Sequence, residues 1–234
     1  MSLRGNSRVR SAVGDVMQIE IWSDVVCPWC YIGKRRIEAA LADFGHREEV
    51  EVVYRSFQLD PTAPRVPEQT VVQMLAQRYA GGDLDAAREM VASTESVAAE
   101  EGLTFHHGDA PQVNTIDAHR LLHLARESGR QGVLKEALLA AYFAGAANLA
   151  DPDVLRAVAA DAGLDADRVE EVLAGSAFAD AVARDVSEAA ALGATGVPFF
   201  VIDRRFAVSG AQPTELFARA LRQAWESRDP AGAR

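Results

Sequence analysis

The chain has 234 residues, 49% hydrophobic and 25% charged, and its 34 acidic side chains against 24 Lys and Arg leave a net charge of −10. Such a chain has ample apolar material for a globular core, and an acidic balance without a sustained basic stripe argues against nucleic acid as the main partner. No stretch approaches the ~18 consecutive apolar residues that a membrane span requires, so a membrane partner is not expected either.

Residues 1–16 carry Arg4, Arg8 and Arg10 but no continuous apolar segment, so they do not read as a secretory signal. We expect a disordered leader there, with the structure beginning at Met17. Only two cysteines occur, whereas a secreted, disulfide-stapled domain usually carries more. The expected compartment is therefore the cytoplasm.

In chain order, Gln18-Ile19-Glu20-Ile21-Trp22 alternates polar and apolar residues and predicts a strand, followed by a loop at Ser23-Asp24. From Pro28 the period becomes helical through Ile32, Ile37, Leu41 and Phe44, with Gly45 as the stop. Residues 50–59 predict a second strand, and the proline-rich stretch 60–67 a connection. Helices are then expected over 67–80, from Leu84 to about Ala98, from a cap at 114–117 to Gly129, and over 131–147. Three more follow, with caps at Asp151, Asp165 and Ser176. Strands return at 196–203 and 205–208, and Pro213 opens a closing helix. The layout is α/β: βαβ, a large all-helical insertion over 67–193, then ββα. Residues 17–66 and 194–228 would form one sheet-containing domain.

Both cysteines lie in Asp24-Val25-Val26-Cys27-Pro28-Trp29-Cys30. Metal ligation, a structural disulfide and a redox dithiol compete for such a pair. Zinc needs three or four ligands, which here would have to be recruited from His46, His106, His107, His119 or His123, and no metal is assigned. A bridge across two residues closes a very short loop, worth only about 2 kcal/mol in the chain-entropy model. The redox reading fits the position: Cys27 would be an exposed attacking thiolate at a helix start, favoured by N–H contacts from Trp29 and Cys30, and Cys30 the buried resolving thiol. Far along the chain, Val197-Pro198 opens a predicted strand, where a proline cannot donate to the ladder.

Asp24-Val25-Val26-Cys27-Pro28-Trp29-Cys30-Tyr31-Ile32-Gly33, with Gly196-Val197-Pro198-Phe199-Phe200 and Ser209-Gly210-Ala211-Gln212, resembles the DsbA-like thioredoxin superfamily, in particular its FrnE-type branch. That branch is similar to 2-hydroxychromene-2-carboxylate isomerases and kappa-class glutathione transferases. The resemblance implies a thioredoxin fold, a cis peptide before Pro198, and Pro198 beside Cys27, holding substrate. It also implies a thiol–disulfide oxidoreductase acting on thiol or disulfide proteins or on glutathione. No tightly bound cofactor is implied; glutathione would act as a co-substrate, and a homodimer is allowed. The alternative is a glutathione-dependent isomerase or transferase acting on a small aromatic or polyketide-like compound, but those relatives typically carry serine at the position of Cys27. Trp29 stands where strongly oxidising relatives carry histidine, so their potential is not transferred.

The expected substrate-binding set is Asp24, Pro28, Trp29, His119, Val197 and Pro198. Asp24 would tune the Cys27 proton or satisfy turn amides, and Trp29 would present an apolar surface or cover Cys30. His119 borders the site by resemblance; as a residue alone it reads as an interhelical histidine. His106-His107 reads as a solvated turn, and Lys34, Arg35 and Arg36 as a solvated face paired with Glu38.

Overall fold

The protein is seen in a computed structural model in which residues 16–228 are described; the expected leader, apart from Val16, lies outside the described residues. β1 (Met17–Ser23) is one of the two inner strands of a four-stranded sheet with order β2, β1, β3, β4. It runs parallel to β2 (Val50–Ser56) with Met17 opposite Val50, and antiparallel to β3 (Phe199–Ile202) with Trp22 opposite Phe199. β4 (Phe206–Ser209) closes the edge against β3. β2 is shorter than the 50–59 segment, because the chain leaves the sheet after Ser56.

β1 is covered on both faces, so Glu20, polar in the alternation, is buried. Its Oε1 accepts from Arg55 Nη2 at 2.5 Å and Arg204 Nη2 at 2.7 Å, so the buried carboxylate is matched by two guanidinium groups.

The helices are α1 (Pro28–Ala42), α2 (Val71–Tyr79), α3 (Leu84–Glu100), α4 (Ile116–Glu127), α5 (Gln131–Gly145), α6 (Pro152–Asp161), α7 (Ala166–Ala174), α8 (Ala179–Ala191) and α9 (Thr214–Glu226). α2 starts at Val71 instead of residue 67, because Thr70 and Gln73 form a reciprocal capping box there. α8 starts at Ala179, later than a cap at Ser176 would place it. The Ser176 carbonyl instead accepts the Ala179 N–H in a turn, and Phe178 takes a left-handed conformation with φ 64°. The Phe178 ring packs on the helical core and stacks near His123. α1 ends at Ala42, before Gly45, and Phe44 turns back to meet Trp225 of α9.

Three apolar clusters result. One face of the sheet packs on Ile37 and Leu41 of α1 and Phe217 and Leu221 of α9. On the other face Trp22, Phe199 and Val201 meet Ala189 of α8, and Trp22 Nε1–H donates to the Asp185 carbonyl at 2.8 Å. The largest cluster lies among the helices and takes in Val25, Tyr31 and Ile32 from the cysteine-bearing segment. α1 thus belongs to two cores, and its N-terminus lies at the seam between sheet and helical layer.

Candidate active site

Pro28 has no N–H to leave unsatisfied, so it suits the first position of α1 and makes Cys27 the residue that caps the helix. Cys27 has extended backbone angles and forms no side-chain cap bond; the Cys30 N–H donates to the Cys27 carbonyl at 3.0 Å. The expected N–H contact from Cys30 to sulfur is therefore replaced by a backbone turn. Cys27 is also not exposed: only 4% of it is accessible, and its Sγ lies 3.7 Å from the Val197 carbonyl oxygen. Cys27 and Cys30 are both free thiols.

The Val197–Pro198 peptide is cis. Two contacts hold the turn from behind: the Gly210 N–H donates to the Pro198 carbonyl at 2.8 Å, and Gly33 of α1 faces the ring. A Cβ on Gly33 would lie 3.0 Å from Pro198 Cγ and 3.3 Å from Phe200 Cζ, so this glycine permits the close approach of α1 to the turn.

Asp24 is fully enclosed. Its Oδ1 accepts the Val25 N–H at 2.8 Å and faces His119 Nε2 at 3.1 Å, while Oδ2 accepts the Leu59 N–H at 2.8 Å. Burial opposes ionisation, but the bond and charge of His119, the Leu59 N–H and the charge of Lys135 outweigh it, and the carboxyl is held below its usual value. With Nε2–H given to Asp24, His119 Nδ1 has no partner. His119 thus orients Asp24 from α4.

Lys135 of α5 has a buried ammonium group, and no readable motif marks it. Its Nζ donates to the Ser23 carbonyl at 3.5 Å and lies 5.9 Å from the Tyr54 ring centre. Burial pushes it down to about 8, against the opposing charges of Cys30, Asp24 and Cys27. Burial pushes the Cys30 thiol well up, as does the neighbouring Cys27, whereas Lys135 draws it down. The sequence signal was a lone lysine inside the apolar face Leu134, Leu138, Leu139, which periodicity alone does not distinguish from a residue at the edge of that face.

Other expectations change. Lys34 is buried, bonded to Glu38 at 2.6 Å and Glu136 at 2.5 Å, and Arg36 is bonded to Glu101 and the Ala211 carbonyl, so neither forms a solvated face. His107 is buried beside Phe105 and Phe143 instead of solvated, and burial lowers it to about 4. Arg120 is a structural clasp on the carbonyls of Val172, Gly175 and Ala177 and on Asp117. Trp29 is 43% exposed. Together with Asp24 and Pro28 it borders a cavity of about 740 Å3 whose apolar walls come from α2, α3 and the connection after β2. Among the described residues no group of three or more His, Cys, Asp or Glu is placed to hold a metal.

The site therefore joins a capping thiol, a buried second thiol one turn into the helix, a backbone carbonyl beside the first sulfur, and a buried ammonium–carboxylate–imidazole layer beneath. The crystal structure of a probable DsbA oxidoreductase from Streptomyces coelicolor is similar, with 50% identity, a TM-score of 0.86 and 92% of each chain covered. The cytosolic disulfide reductase DsbM from Pseudomonas aeruginosa, solved with GSH, shares the fold at 18% identity and TM-score 0.62, over 88% of this chain and 98% of that one. A 2-hydroxychromene-2-carboxylate isomerase shares it at 15% identity and TM-score 0.66, over 93% and 99%. The family model for the DSBA-like thioredoxin domain matches residues 18–222, and the chain belongs to that family of thiol–disulfide oxidoreductases.

Proposed function

We propose that Cys27 is the attacking thiol and Cys30 the resolving thiol of a two-electron exchange. The observation that supports this most is the placement of Cys27 Sγ 3.7 Å from the Val197 carbonyl, at the N-terminus of α1, with Cys30 buried behind it. Cys27 attacks one sulfur of a substrate disulfide, forming a mixed disulfide and releasing the first substrate sulfur as a thiolate. Cys30 then attacks Cys27 Sγ, breaking the mixed disulfide and forming the Cys27–Cys30 bond. Overall the dithiol gives up two electrons and two protons, and the substrate disulfide becomes two thiols. The cycle runs in reverse when the oxidised protein meets a dithiol.

Lys135 stabilises the Cys30 thiolate as it forms, Asp24 and His119 hold the layer beneath the thiols in place, and Val197 and Pro198 shape the groove beside Cys27. Electrons pass between sulfurs, so no resident cofactor is needed, and glutathione serves as a co-substrate thiol. Among the described residues no helix is long and apolar enough to cross a membrane. Spending both cysteines on the dithiol supports work in the cytoplasm, where structural disulfides are rare.

Mass spectrometry of the reduced chain after reaction with a peptide disulfide tests the reading. The expected product has lost two hydrogens; Cys30→Ser should stop at a stable peptide adduct on Cys27, and Cys27→Ser should not react. Full exchange activity in Cys27→Ser removes the assignment. The cavity beside Trp29 supports a second reading, glutathione-dependent isomerisation of a small apolar compound, and stable retention of glutathione by the unmutated chain would favour it.

A further inference from the structure

Trp29, Leu59, Tyr79 and Met90 are large apolar side chains left exposed, and all four line the cavity of about 740 Å3 that begins at Pro28, next to the attacking cysteine. Single exposed apolar residues are ordinary, but a collar of them around a concavity marks a binding surface. The collar draws on α1, the connection after β2, α2 and α3. It continues outward onto the exposed Tyr79 and Met90, which suits successive side chains of a polypeptide better than half of a small disulfide.

The charges on the same walls are one-sided. Asp24, Asp60 and Glu89 supply carboxylates, and Arg78 is the single guanidinium lining the cavity. Arg78 is already bonded to Asp60. Asp60 also accepts from the Thr62 hydroxyl at 2.7 Å and from Gln112 at 2.9 Å, and the Thr62 and Arg78 bonds hold its carboxyl below the usual range. His107, lowered to about 4 by burial, brings no positive charge at neutral pH. Lys135 faces Asp24 from below and is itself enclosed. An anionic group entering this cavity loses its water and meets no uncommitted cation, whereas a cationic group at the mouth meets Glu89.

We propose that Asp60 and Glu89 form a charge filter at the mouth of an apolar subsite. The filter directs the dithiol to cysteine-containing polypeptide segments that combine bulky apolar and basic residues, and away from acidic ones. The inference rests on the oxidoreductase reading and specifies its substrate class. Asp60 does this by cancelling Arg78, and Glu89 by its own charge; both are specificity-determining positions.

The test uses the reduced full chain and four disulfides: homodimers of three blocked peptides, each with one cysteine, and cystamine. The peptides carry Phe and Leu with Lys, Phe and Leu with Glu, or Ser and Gly with Lys. The rate of Cys27–Cys30 disulfide formation is read by acid quench and mass spectrometry. The apolar basic peptide is expected to react roughly fivefold faster than the apolar acidic one at low salt and faster than the polar basic one, with the charge preference shrinking at high salt. Glu89→Lys and Asp60→Asn should each bring the basic-to-acidic ratio down to about one or below. Because Glu89 is exposed, its variant keeps the test valid if Asp60→Asn fails to fold. Equal rates for the two apolar peptides, or an unchanged ratio in the folded variants, overturns the filter. Cystamine reacting as fast as the apolar basic peptide overturns the polypeptide assignment. A dithiol oxidised by none of the four sinks the oxidoreductase reading itself, an outcome distinct from oxidation without preference.

Discussion

Lys135 is the residue on which the chemistry of the dithiol and the stability of the protein pull in opposite directions. In the unfolded chain its amine titrates near the ordinary value, and in the folded protein near 8. Between those pH values the unfolded state holds the extra proton, so stability rises with pH; below them the full cost of burying the ammonium is present. A shift from 10.5 to about 8 corresponds to up to about 3 kcal/mol. Lys135→Met should therefore be more stable at pH 7 by up to about 3 kcal/mol in urea denaturation, with the gain closing by about pH 10.5. The same variant should resolve the peptide adduct on Cys27 roughly tenfold more slowly, since one pKa unit on Cys30 is worth about 1.4 kcal/mol. A loss of stability at pH 7 would mean that the ammonium is a net structural partner. Asp24 behaves oppositely: its folded value is depressed, so its contribution is present above the unfolded value near 4 and is lost as pH falls through the folded one. Asp24→Asn should cost about 2–4 kcal/mol at pH 7, a cost that begins to shrink only as pH falls below ~4 and vanishes below the depressed folded value, read as the urea midpoint against pH.

Between α1 and the turn before β3 there is no room for a side chain, and the two elements of the site are held in register by that contact. Gly33→Ala must push the Pro198 ring or α1 aside, because its Cβ would meet Pro198 Cγ at 3.0 Å and the Phe200 ring at 3.3 Å. Overpacking of this kind costs about 1–3 kcal/mol. The variant should lose that much stability and, because Val197 would shift relative to Cys27 Sγ, also exchange disulfides more slowly. Unchanged rates with lowered stability would show that the register of the turn does not matter to the chemistry. The two misplaced helix starts teach a related point. At α2 the decisive signal, Thr70 and Gln73 three apart, was present in the chain but followed three residues behind Pro67, itself a plausible opener. At α8 the left-handed Phe178 follows from its ring packing against the helical core, and no local pattern announces it.

Across the whole molecule, α1 carries apolar residues of both the sheet core and the helical core, and Trp22 is bonded to the backbone of α8. Sheet and helical layer should consequently unfold together. Near-ultraviolet signals from the tryptophans and the far-ultraviolet helix signal are expected to give one midpoint in thermal or urea unfolding, and separated midpoints would show two independent units. The α/β class, the order βαβ then helices then ββα, and the cysteine pair at a helix start were all legible in the chain, because hydrophobic period, proline and caps are local quantities. The buried state of Lys135, Lys34 and His107, the partnering of Arg78 by Asp60, and the enclosure of Cys27 beside Val197 were not. Periodicity records which face of an element is apolar; which element covers a polar residue on that face is decided by contacts between separate segments, from 18 residues apart for Arg78 and Asp60 to 170 for Cys27 and Val197. Local patterns along the chain thus specify the order of the elements and the cysteine pair, whereas packing between distant segments sets which charges lie beneath the two sulfurs and which surround the mouth beside them.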